Sequence, residues 1–129
     1  MAVIMDLEKL KQLNVLYIED ELDLQEVTCS FLVDFIGNIV VANNGEDALS
    51  KFEDNKFDLI ITDINMPKLN GVDMMRQMRQ IQPNLKIIVT TAYNHEEKLK
   101  ELSDAGMNEY IMKPIDFTKL VETILKITD

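Results

Sequence analysis

The chain is short of several residue types, and each shortage removes a class of protein. It has one cysteine, three prolines and four glycines in 129 residues. A lone Cys29 allows no disulfide framework and no thiolate zinc site. Cys29 also falls in a stretch with helical spacing, where packing is the expected role of a thiol. No apolar run approaches the eighteen or so residues that span a bilayer. Asp6, Glu8 and Lys9 interrupt the N-terminal segment, so it lacks a signal-peptide pattern. A cytoplasmic protein without a membrane partner is the expectation. Basic residues are also scarce: 13 Lys and Arg against 23 Asp and Glu, a net charge of −10. The cations are scattered rather than gathered on one face, so direct nucleic-acid binding is not expected.

With no Pro/Gly linker, low-complexity tract or internal repeat, residues 1–129 read as one domain, long enough to bury a core. Apolar residues, 47% of the chain, gather in five short runs. These are Val15-Leu16-Tyr17-Ile18, Ile39-Val40-Val41-Ala42, Phe57-Asp58-Leu59-Ile60-Ile61, Leu85-Lys86-Ile87-Ile88-Val89 and the weaker Glu109-Tyr110-Ile111-Met112. Short, β-branched, non-alternating runs suit parallel strands buried on both faces. Between them lie segments of helical spacing, such as Leu24, Val27, Phe31, Phe35 and Phe117, Leu120, Val121, Ile124, Leu125. Asn44 and Asp116 suit N-cap positions, and Asn94 with Glu97 resembles a capping box. Strand and helix alternating five times predict a doubly wound α/β fold, (βα)5, with flavodoxin-like strand order 2-1-3-4-5.

In open parallel sheets, ligands bind beyond the carboxyl ends of the strands, where the strand order reverses. The first strand ends in Glu19-Asp20-Glu21 and the third in Thr62-Asp63, followed by Ile64-Asn65-Met66-Pro67. The fourth ends in Thr90-Thr91-Ala92, and the fifth runs into Lys113-Pro114. In the predicted order strands one and three are neighbours, so Glu19, Asp20 and Asp63 should converge. Thr91 and Lys113 approach from the other side. Three clustered carboxylates repel one another and are costly to bury unpaired. A hard divalent cation is the usual remedy, and an all-oxygen site with few protein ligands suits Mg²⁺. The competing role is helix capping, open to Asp20 or Glu21 before the helix that begins near Leu22.

Taken together and in order, Ile18-Glu19-Asp20-Glu21, Asp63-Ile64-Asn65-Met66-Pro67 with Gly71, Thr91-Ala92, and Tyr110 preceding Lys113-Pro114 resemble the receiver domain of two-component response regulators. The resemblance runs from about residue 13 to residue 127. It implies that Asp63 is a nucleophile, taking a phosphoryl group from a sensor histidine kinase or phosphotransfer protein. It implies Mg²⁺ (or Mn²⁺) held by Asp20, Asp63, the Asn65 backbone carbonyl and Glu19, the last directly or through water. Lys113 would meet one phosphoryl oxygen, and the Thr91 hydroxyl with a backbone N–H of Ala92 or Asn65 the others. Pro114 matches the family's cis-proline. One departure is Glu19, where the family often has aspartate.

The resemblance further implies a signalling switch rather than an enzyme. Thr91 would swing toward the phosphate and Tyr110 would fill the space it leaves. Residues 94–104 are nearly all polar apart from Leu99 and Leu102, so this helix should be loosely held. Its face is expected to carry output with the fifth strand and last helix; a phosphorylation-dependent homodimer is one form that output could take. His95 reads as a surface residue, and Met74, Met75 and Met78 as core. Three rivals stand beside this reading. A phosphatase resembling the haloacid dehalogenase group needs Asp-x-Asp after the first strand. A flavin binder needs a phosphate loop where Glu19-Asp20-Glu21 would repel phosphate. A pseudo-receiver would serve only for interaction.

Overall fold

Each apolar run becomes a strand: β1 (Asn14–Ile18), β2 (Asn38–Ala42), β3 (Leu59–Asp63), β4 (Lys86–Thr91) and β5 (Glu109–Met112). They appear in a computed structural model that describes residues 7–64, 70–92 and 95–128. All five pair in parallel, in the order β2-β1-β3-β4-β5. This is the predicted flavodoxin-like order. After a helical turn at residues 7–10 come α1 (Leu22–Leu32), α2 (Gly45–Asp54), α3 (Gly71–Ile81), α4 (Glu96–Asp104) and α5 (Phe117–Thr128).

Strand side chains alternate between faces, so the sheet carries two cores. Leu16, Ile18, Ile60, Ile87 and Val89 pack with Phe52 of α2, the Met74, Met75 and Met78 cluster of α3, and Leu102 of α4. Val15, Tyr17, Leu59, Ile61, Ile88 and Ile111 pack with Leu32 of α1 and Leu120 and Ile124 of α5. The central strand β3 is buried along its full length, which is why it reads as an unbroken apolar run rather than an alternating one. The methionine cluster is core, as expected, and Cys29 is half-buried in α1.

Strand boundaries differ from the apolar runs where side chains compete with the ladder. Phe57 stacks on Phe52, with ring centroids 6.3 Å apart. Asp58 brackets Asn14: its N–H donates to the Asn14 carbonyl and its Oδ2 accepts the Asn14 N–H, both at 2.8 Å. Pairing in β3 therefore begins at Leu59. Two predicted caps form: Asn44 Oδ1 accepts the Asp47 N–H at 2.9 Å, and Asp116 Oδ1 accepts the Lys119 N–H at 3.2 Å. Exposed His95 occupies the N-cap position of α4. Asn94, and with it the capping box, lies outside the described residues.

Candidate functional site

The carboxyl ends of β1, β3 and β5 place the acids and the lysine together. Glu19 leaves β1 still tied to the sheet, its N–H donating to the Ala42 carbonyl at 3.1 Å. Its side chain is wholly buried, and Oε2 accepts the Glu21 N–H at 3.2 Å. Asp63 closes β3 and is 5% exposed, whereas Asp20 lies at the surface. One carboxylate oxygen from each of Glu19, Asp20 and Asp63 lies within 4.8 Å of the others. Glu21 holds the N-cap position of α1 but forms no side-chain cap bond.

Lys113 reaches in from the end of β5. Its backbone N–H donates to the Thr91 carbonyl at 2.8 Å, and the Lys113–Pro114 peptide is cis. Its Nζ stands 3.2 Å from Glu19 Oε1 and 3.2 Å from Asp63 Oδ2. Among the described residues, one ammonium thus pairs with two of the three carboxylates, and the protonation tendencies reflect burial set against that pairing. Burial pushes the Glu19 carboxyl up from its ordinary range; the Glu21 N–H and Lys113 oppose this only in part, and Asp63 adds to it. Burial alone would lower Lys113, but attraction to Asp63 and Glu19 outweighs it and the net direction is up. An all-oxygen cluster in want of positive charge suits a hard divalent cation. Glu19, Asp20 and Asp63 can therefore hold one.

Thr91, buried at the end of β4, continues the row of Ile87 and Val89 on the α4 face of the sheet. Half-buried Tyr110 sits opposite Val89 in β5 and packs on the same core, as does Leu99 of α4. Ala92 follows Thr91 at the surface. Gly71 opens α3 against the residue after Asp63: a Cβ there would lie 2.9 Å from Ile64 Cα, so only glycine permits the approach. Asn65, Met66 and Pro67 lie outside the described residues.

Sequence reasoning missed Gln25. Its Nε2 donates to the Glu19 carbonyl and to Asn43 Oδ1, both at 2.9 Å. The available signal was weak: a polar residue one turn into α1, close enough to the preceding loop to reach back. Among the described residues, no helix is long and apolar enough to cross a membrane.

An open parallel sheet with a carboxylate cluster at its switch point defines a class of doubly wound α/β proteins. Within that class, the model of the response regulator receiver domain matches residues 15–125. The chain belongs to that family. It is 36% identical to the chemotaxis protein CheY of Thermotoga maritima over 67% of this chain and 72% of that protein. It is 28% identical to the transcriptional regulatory protein ZraR of Klebsiella oxytoca over 88% of this chain. That match spans only 26% of ZraR, about a quarter of its length. Among solved structures, a CheY-like receiver domain from Methanospirillum hungatei JF-1 superposes with a TM-score of 0.85 at 27% identity, covering 90% of this chain and 93% of that one. The receiver domain of Ssk1 from Saccharomyces cerevisiae, solved with the histidine phosphotransfer protein Ypd1, gives a TM-score of 0.83 at 25% identity, covering 90% and 88%.

Proposed function

We propose that this chain, as a single receiver domain over residues 1–129, accepts a phosphoryl group on Asp63 and works in the cytoplasm as a switch rather than a turnover enzyme. The observation that carries the reading is the acid trio around Asp63 with Lys113 3.2 Å from two of its members. The donor is a phosphohistidine on a sensor histidine kinase or phosphotransfer protein; the complex of Ypd1 with a similar receiver supports that partner class. An Asp63 carboxylate oxygen forms a bond to phosphorus as the bond from phosphorus to the donor's imidazole nitrogen breaks. The imidazole leaves as a neutral ring after taking up a proton from solvent.

Glu19, Asp20, Asp63 and the backbone carbonyl of Asn65 would hold Mg²⁺ or Mn²⁺. Bound there, the ion supplies charge neutralisation for the transferring group. Lys113 holds a fixed positive charge beside Asp63 and meets one phosphoryl oxygen. The Thr91 hydroxyl and a backbone N–H of Ala92 or Asn65 take the others. As Thr91 turns toward the phosphate, Tyr110 moves into the space it leaves, and α4 shifts with it. A homodimer formed on phosphorylation is one output of that face.

Incubation with acetyl phosphate and Mg²⁺, followed by intact mass, tests the reading. The chain should gain one phosphoryl group, and an Asp63→Asn variant should gain none. Equal labelling of both would contradict it.

A further inference from the structure

Glu19 is held on every side. Its N–H donates to the Ala42 carbonyl, its Oε2 accepts the Glu21 N–H, and its Oε1 faces Lys113. Its carbonyl accepts from Gln25 Nε2 at 2.9 Å. Gln25 contributes its second amide hydrogen to Asn43 Oδ1, also at 2.9 Å, so both donors of that nitrogen are used. Asn43 is itself anchored, since its N–H donates to Asp47 Oδ2 at 3.1 Å. Asp47 Oδ2 also pairs with Lys51 Nζ at 3.0 Å, and that ammonium reaches back to the Val41 carbonyl. The β2–α2 loop is thus a braced point, and Gln25 fastens the exit of β1 to it.

The consequence concerns Asp20, the exposed member of the trio. The Glu19 carbonyl and the Asp20 nitrogen share one planar peptide unit. A hydrogen bond that fixes the carbonyl therefore fixes the direction in which Asp20 departs. Nothing else among the described residues holds that carbonyl. We propose, on the reading that the acid trio holds a divalent cation, that Gln25 is a positioning residue for the metal site. It sets the Glu19–Asp20 peptide so that the Asp20 carboxylate meets the ion.

The test is a calorimetric Mg²⁺ titration of the full chain, paired with urea unfolding in EDTA. Gln25→Met keeps the length of the side chain and removes both donors. It should bind Mg²⁺ on the order of tenfold more weakly, the usual size of an outer-shell effect. Its metal-free unfolding midpoint should stay close to that of the unchanged chain, and the Asp20 amide resonance should move. Asn43→Ala leaves α1 untouched and carries the test should Gln25→Met fail to fold; it should weaken Mg²⁺ binding in the same direction by less. Combined with Gln25→Met it should add little, because the two act through one linkage. Unaltered Mg²⁺ affinity in a folded Gln25→Met or in Asn43→Ala would overturn the positioning role. Absence of Mg²⁺ binding by the unchanged chain would instead overturn the metal site on which that role depends.

Discussion

Lys113 sits where two strand ends deliver carboxylates that water cannot fully solvate. Glu19 is wholly buried and Asp63 nearly so, and the lysine side chain is 20% exposed. Removing one partner of a buried ion pair strands the other charge, at a cost of about 3–5 kcal/mol when burial is complete. Partial exposure of Lys113 screens the interaction and reduces that figure. Lys113→Met is expected to destabilise the metal-free chain by about 2 kcal/mol, read by urea unfolding in EDTA. A variant as stable as the unchanged chain would show that Lys113 does not neutralise the acids. Such a lysine announces itself in sequence only by its position after a strand. That sufficed for Lys113, but not for Gln25, whose role depends on where a helix side chain turns back.

Among the elements, α4 is the most lightly attached of the helices beside the site. Leu102 is its one buried side chain, with Leu99 partly buried against the same core. The neighbouring α3 buries Val72, Met74, Met75 and Met78. Amide exchange should therefore be faster across 96–104 than across 71–81. Leu102→Ala should cost about 2–3 kcal/mol and raise exchange in α4 before the rest of the chain. Equal protection of the two helices would remove α4 as the moving part.

The start of α2 offers a pH test. Burial alone would raise the Asp47 carboxyl, but the Lys51 ammonium and the Asn43 N–H outweigh it and hold it below the usual range. A carboxyl depressed in the folded state contributes stability above its unfolded value of about 3.9 and loses it as pH falls through the folded value. Acid titration of Asp47→Asn against the unchanged chain should show a stability difference at neutral pH that disappears at low pH. A difference that persists there would assign Asp47 a role unconnected with its charge.

Most of this level was legible in the sequence. Buried parallel strands print as apolar runs, and the Asn44 and Asp116 caps print as residue type before a helix. The start of β3 did not, because it turns on the Phe57 ring stacking on Phe52 and on the Asp58 side chain taking the Asn14 N–H, and Asn14 lies far away in sequence. The convergence of Glu19, Asp20 and Asp63 was legible because strand order alone makes β1 and β3 neighbours.

At the scale of the molecule, the net charge is −10, and among the described residues the acid cluster pairs with one lysine, Lys113. A cation that binds the folded state and not the unfolded one stabilises it, by about 2.7 kcal/mol at a hundredfold excess over Kd. Mg²⁺ should raise the thermal midpoint, EDTA should reverse the rise, and Asp20→Asn should lose most of it. A midpoint indifferent to Mg²⁺ would argue against a cation at the trio. The family places the chain among receivers, with Asp63 and Lys113 at the strand ends, Thr91 at the end of β4, and Tyr110 and Leu99 of α4 packed on the same core.

The most direct measurement locates the phosphoryl group chemically. After treatment with acetyl phosphate, borohydride reduces an aspartyl phosphate to homoserine, which peptide mass spectrometry places by residue. Homoserine at position 63, formed only when Mg²⁺ is present, is the expected result. Aspartate unchanged at position 63, or phosphate that survives borohydride on another side chain, would contradict it.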